Sequence, residues 1–198
     1  TELFRELEFS SLLSKLPEMA GAEPETAVKV ENAPLPECTY CTVNTTELLD
    51  KLLGRLSSVK SFAFDTETTG LDPMTARLVG ISLSPAPGES YYIPVGHLGF
   101  MGLARQLPLE YVLERLKPVL ADSALAKFAH NANYDMTVLA EHGVTVNNLT
   151  FDTMVAAHLL SEGSLGLKAL AFSRLGIEMT PITDLIGTGA KQLNMSQV

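Results

Sequence analysis

The chain has 198 residues, 46% of them hydrophobic and 19% charged, with a formal net charge of −9, which suits one globular domain of mixed class with a short appendage. So acidic a chain is not built to coat a long nucleic acid, whose affinity comes largely from Lys and Arg; an enzyme that meets phosphate through divalent cations is still allowed, because it gathers carboxylates around the metals. The longest apolar stretches, such as "MTVLA" and "MVAAHLL", fall far short of the roughly 20 residues of a membrane span, and no basic-then-apolar leader opens the chain, so a soluble, cytoplasmic protein without a membrane partner is expected.

Residues 1–16, "TELFRELEFSSLLSKL", place apolar positions three and four apart, as an amphipathic helix does, and the Pro-, Ala- and Glu-rich stretch that follows reads as a linker. The compact domain is therefore expected over residues 38–198, with 1–37 as helix and linker. From residue 38, "CTYCTV" reads as a strand and "NTTELLDKLLGRLSS" as a helix capped by Asn44 or Thr45. "SFAFDTE", "RLVGISLS" and "YYIPVG" read as strands, the last two joined by the turn "PAPGES", and predict an antiparallel meander. The period then changes. "LEYVLERLKPVL" predicts a helix, "LAKFAH" a short strand, and "NYDMTVLAEHG" a helix closed by Gly143. "DTMVAAHLLSEG" and "LKALAFSRLG" predict two more helices, each ending at glycine. This order implies an α/β fold: a mixed sheet of about five strands flanked by helices. There is no internal repeat.

Cys38 and Cys41 form a single C-x-x-C, and His97, His130, His142 and His158 are scattered singly, so no second ligand pair completes a zinc site. The cysteines are read as reduced residues near a strand, the histidines as core or surface side chains. Acid-x-acid pairs occur at Glu6/Glu8, Glu23/Glu25 and Asp65/Glu67, and chance alone yields about three in a chain of this acid content. Context separates them: the first pair sits on the amphipathic helix and the second in the linker. Asp65 and Glu67 end a strand on which residues two apart share a face. Such a pair is either a polar strand edge or a set of hard oxygen ligands for magnesium or manganese, whose charge relieves the repulsion. Asp135, in "HNANYD", is by itself an acid at a helix N-terminus, with Asn131 or Asn133 as the cap. The strand-borne D-x-E, the N-x-x-Y-D at a strand-to-helix junction and the "FDT" at Asp152 are more informative together than any one of them.

That combination resembles the 3′ to 5′ proofreading exonuclease domain of bacterial family A DNA polymerases, within the DEDD superfamily of ribonuclease H-like folds. "FAFDTETTGLD" resembles the first exonuclease motif and "HNANYD" the second, while "YYIPVGH", "FDTMVAAHLL" and "GTGAKQLNMSQV" follow in the same order. "LFRELEFSSLL" resembles the junction with a 5′ nuclease domain. The resemblance implies that Asp65, Glu67 and Asp135 are catalytic metal ligands and that Asn131 and Tyr134 support the site or touch the terminal nucleotide. It places Thr68 and Leu71 against the DNA 3′ end, with Leu71 as an apolar wedge, and puts Ile182 where some relatives carry an aromatic. A third motif, Y-x-x-x-D, does not occur in this sequence, so the chain is expected to be a fragment cut before it, weak or inactive alone.

The implied activity is hydrolysis of the terminal phosphodiester of a single-stranded DNA 3′ end, releasing deoxynucleoside monophosphates in DNA replication and repair. Two divalent cations would take part, Mg2+ or Mn2+ with Zn2+ as an alternative at one site. The implied context is a monomer whose natural chain includes a polymerase domain. Two other readings keep the fold: a catalytically inactive scaffold domain, which would lose its acidic residues, and an RNase D-like exoribonuclease, which shares the carboxylates and differs in its tolerance of a 2′-hydroxyl.

Overall fold

The structure is a computed structural model that describes residues 38–98 and 106–198. The helix and linker expected over 1–37 lie outside the described residues.

The first strand, β1 (Thr39–Thr42), leads into helix α1 (Thr46–Ser57). Thr45 is the N-cap, its hydroxyl accepting the Leu48 N–H at 3.3 Å. Leu49, Leu52 and Leu56 recur at three- and four-residue spacing and are fully buried, each contributing roughly 1.5–3 kcal/mol by leaving water. The meander follows as β2 (Ser61–Thr68), β3 (Leu78–Ala86) and β4 (Glu89–Pro94). Pro87 and Gly88 alone join β3 to β4, and the turn works because Gly88 takes a φ of 80° that side chains resist. Helix α2 (Leu109–Ala121), β5 (Ala126–Ala129), α3 (Ala132–Glu141), β6 (Leu149–Asp152) and α4 (Thr153–Leu159) come next. Helices α5 (Leu167–Leu175) and α6 (Ile182–Ile186) and two 3-10 turns complete the described chain.

All six strands form one sheet in the order β1-β4-β3-β2-β5-β6. The β2–β3 and β3–β4 pairs are antiparallel, and β1–β4, β2–β5 and β5–β6 are parallel, so the expected meander sits inside a mixed sheet. The sixth strand is the four-residue edge strand β6, too short to show a period in the sequence. Helix α4 also differs from expectation: it stops at Leu159, and Ser161 rather than Gly163 takes the left-handed conformation that ends the turn. Gly143 and Gly176 close α3 and α5 as expected, both at positive φ.

Burial alternates along β2. Phe62, Phe64 and Thr66 are buried, whereas Asp65 is exposed and Ala63 and Glu67 are half-buried. Phe62 and Phe64 join Ile81, Leu83 and the apolar stripes of α1, α2 and α3 in one core. Asp65 and Glu67 therefore project from the opposite face. Cys38 is exposed beside β1 and Cys41 half-buried on it. Among the described residues no helix is long and apolar enough to cross a membrane.

Candidate active site

At the carboxyl end of central strand β2, Asp65 pairs with Ser82 and Glu67 with Gly80 across the antiparallel ladder, and the register slips between Glu67 and Thr68. That slip ends the regular strand and releases the chain into the loop carrying Gly70 and Leu71. The neighbouring parallel strand β5 ends at the same edge and turns into α3, which delivers Asp135 in its first turn.

Asp135 is 3% exposed, and one of its oxygens is tied down: Oδ1 accepts the backbone N–H of Thr66 at 2.8 Å and the Thr66 hydroxyl at 2.6 Å. The middle residue of Asp65-Thr66-Glu67 thus turns toward the helices and anchors the acid that comes from α3. This role is not legible in the sequence, because Thr66 reads as a spacer in a D-x-E pattern.

Burial first, and neighbouring acids second, disfavour the charged forms at this site. Burial, then the charge of Asp135, then that of Glu67 raise the Asp65 pKa to about 7, although the side chain keeps contact with solvent. Glu67 is raised by burial and then by Asp135. Burial also raises Asp135, against the two Thr66 hydrogen bonds that favour its ionised form. None of the ion pairs among the described residues involves these acids. Beside Glu67, burial first and the Glu67 charge second lift the Tyr92 hydroxyl to about 12.

The donor set fits divalent cations: hard carboxylate oxygens, like-charged and without a cationic side chain paired to them. Among the described residues, no group of three His, Cys, Asp or Glu side chains closes round one point. The acids are therefore near enough to repel and too open to form a cage, with Asp65 feeling both of the others.

Tyr134, directly before Asp135, reaches the β2 loop. Its hydroxyl donates to the Gly70 carbonyl oxygen at 2.5 Å and lies 2.5 Å from the Thr68 hydroxyl. Beyond this clasp, Leu71 is 97% exposed, a placement that exposes an apolar side chain to whatever enters the site. Asn131 stands at the N-cap position of α3 with a φ of 63° and caps nothing with its side chain. This corrects the expectation that Asn131 or Asn133 caps α3. Asp152 supplies the cap, accepting the N–H groups of Asn131 at 3.1 Å and Ala132 at 2.7 Å while also capping α4 through Met154 and Val155. Burial opposes the Asp152 charge, but these four N–H donors outweigh it and hold the carboxyl below its usual range.

A cavity of about 430 Å3 opens on the sheet face beside Asp65, between Ser82, Phe128 and Met179. His130 lines it, with Nδ1 2.8 Å from the Thr153 hydroxyl, so one histidine that the sequence left as ordinary shares a cavity with Asp65. Ile182, on α6, is 55% exposed.

Comparison with known proteins bears on the family and the fold. The 3′-5′ exonuclease family model of the family A DNA polymerases matches residues 40–195. The DNA polymerase I of Chloroflexus aurantiacus is 40% identical over 225 residues, covering 99% of this chain and 23% of that polymerase. That of Pseudomonas aeruginosa is 34% identical over 200 residues, covering 99% and 22%. The chain thus spans less than a quarter of the length of these relatives. Among solved structures, Escherichia coli RNase D, an exoribonuclease involved in structured RNA processing, shares the fold with a TM-score of 0.54 at 20% identity, over 72% of this chain and 35% of its own.

Proposed function

The chain belongs to the 3′-5′ exonuclease family of the family A DNA polymerases, and from that premise we propose that it removes nucleotides from the 3′ end of single-stranded DNA as a proofreading unit. The observation that carries this reading is the like-charged trio of Asp65, Glu67 and Asp135 at the carboxyl end of β2, with Asp65 raised to about 7. Two divalent cations, magnesium or manganese with zinc as an alternative at one position, would activate the attacking water and stabilise the leaving 3′ oxygen.

In this reading Asp65, which feels both neighbouring charges, would serve both cations, Glu67 one of them and Asp135 the other. Thr66 holds the Asp135 carboxylate by one oxygen and leaves its second oxygen for ligation. Tyr134 and Thr68 fix the loop at Gly70, so that Leu71 meets the last bases as a wedge and separates them without reading sequence. Asn131, whose side chain is not spent on capping α3, faces the terminal nucleotide. The products are deoxynucleoside monophosphates.

We further propose that residues 38–198 are the exonuclease unit and that 1–37 form the junction with a preceding nuclease domain. The natural partner is a polymerase domain in the same chain, working as a monomer in the bacterial cytoplasm. With three carboxylates and no closed cage among the described residues, this chain alone should hold cations weakly and cut slowly. A scaffold without catalysis would have no need for a repelling acid trio, and the trio argues against it.

The assay is release of deoxynucleoside monophosphates from 3′-labelled single-stranded DNA with magnesium or manganese. Release that depends on metal and is abolished by Asp65→Ala supports the assignment; equal release from the Asp65→Ala chain would falsify it.

A further inference from the structure

Next to the acids stands a pair of side chains that the proposed reaction does not use. Tyr92 on β4 pairs with Ser82, which pairs in turn with Asp65, while Gly80, two residues along β3, pairs with Glu67. Paired residues and residues two apart on a strand point to the same face, so Tyr92 shares the open face with both acids. A Cβ on Gly80 would lie 2.1 Å from the Tyr92 hydroxyl oxygen and 2.3 Å from the ring carbon that bears it. The tyrosine has filled the space left by the missing side chain, directly across from Glu67. Cross-strand Cβ positions lie about 4.5–5.5 Å apart, and a glutamate carboxylate extends two bonds beyond its Cβ. The Tyr92 hydroxyl is therefore within the swing of the Glu67 carboxylate.

That hydroxyl is engaged elsewhere. Tyr92 Oη lies 2.6 Å from His97 Nε2, the rings meeting edge to face at 5.9 Å. His97 Nδ1 lies 2.9 Å from the Val198 backbone oxygen, which can only accept. Satisfying that contact puts the ring proton of a neutral His97 on Nδ1, and Nε2 then accepts the Tyr92 O–H. The histidine is itself held in place. Gln106 accepts the His97 N–H at 2.9 Å and donates its side-chain amide to the His97 carbonyl at 2.7 Å. Gly96 lets the preceding backbone come close to Leu78, whose carbonyl oxygen would lie 2.2 Å from a Cβ at that position.

We propose that His97 is a positioning residue: by accepting the hydrogen bond of the Tyr92 O–H it keeps that hydroxyl away from Glu67 and leaves both Glu67 oxygens open to a divalent cation. The inference rests on the metal role proposed above for Glu67. Remove the His97 acceptor, and the Tyr92 hydroxyl turns to the nearest carboxylate. A cation must then break a charge-assisted hydrogen bond before it can bind.

The test is calorimetric titration of the whole chain with manganese, without DNA. Relative to the parent, Tyr92→Phe should bind manganese within about twofold and His97→Ala about tenfold more weakly, because a hydrogen bond to a charged group must be displaced. The double variant Tyr92→Phe/His97→Ala should return to within about twofold of the parent, since the competing hydroxyl is gone. A histidine that merely supports the fold would not be rescued by deleting a second hydrogen-bonding group. Binding by His97→Ala equal to that of the parent, or a double variant as weak as His97→Ala, overturns the inference. If His97→Ala does not unfold cooperatively, His97→Leu, which keeps bulk without an acceptor, gives the same two readings. A parent that shows no manganese site, or one unaffected by Glu67→Gln, overturns the metal reading and this inference together. A parent that binds through Glu67, with a double variant that does not recover, overturns only the inference.

Discussion

The two faces of β2 solve opposite problems with alternating residues of one strand. On one face Phe62 and Phe64 pack into the helix-covered core with Ile81 and Leu83; on the other, burial and then the charge of Asp135 lift the pKa of both Asp65 and Glu67. The first face lowers the free energy of the folded chain by removing apolar surface from water. The second raises it, and the arrangement persists because the first face holds the backbone that presents it. The contrast separates stability from chemistry at neighbouring positions of one strand.

That separation can be broken from either side. Asp65→Ala should have the largest effect on chemistry and a small one on folding: metal-dependent nucleotide release falls by more than about a hundredfold, beyond the 10–100-fold typical of supporting groups around a metal. Phe64→Ala should do the reverse, lowering stability by about 3–5 kcal/mol in denaturant unfolding. Thr66 lies between the two cases, buried like its core-facing neighbours yet bonded to Asp135 at 2.6 Å. Thr66→Val keeps the shape and deletes the hydroxyl donor, so activity should drop about 10–100-fold while Thr66→Ser retains most of it. Equal losses in both variants would mean that packing, not the hydrogen bond, is what Thr66 supplies.

The division of labour was partly legible in the sequence. Alternation in "SFAFDTE" put both acids on one face at a strand end, and turn residues marked the meander. Two features were not legible, because they are contacts between residues distant along the chain. Asp152 caps α3 from 20 or more positions away, and no local pattern distinguishes this from the capping of its own helix α4. Thr66 anchors Asp135 across 69 positions. A four-residue β6 carried too few positions for a period, and the unusual conformation of Ser161, which ends the turn after α4, belongs to a residue type that seldom signals a stop.

Smaller effects sharpen the contrast. The Asp65 carboxyl binds its proton more tightly in the folded chain, with a pKa of about 7 against an ordinary 3.8. Its protonated form therefore contributes stability that is complete below about pH 4 and is lost as pH rises through about 7. The Tm of the metal-free chain should carry a falling component across that window, and Asp65→Asn should remove it. Leu71→Ala should matter least to the fold, because the side chain is 97% exposed: stability stays within about 0.5 kcal/mol of the parent. Its KM for single-stranded DNA should nevertheless rise severalfold if the side chain meets the terminal bases.

Thermal unfolding with and without excess manganese, above the Asp65 pKa, tests most directly whether the acid face is shaped for cations. A ligand that binds only the folded chain raises its Tm. The account predicts a clear rise for the parent and almost none for Asp65→Asn, whose metal-free Tm should already equal or exceed that of the parent. A manganese-induced rise of the same size in both chains would contradict it.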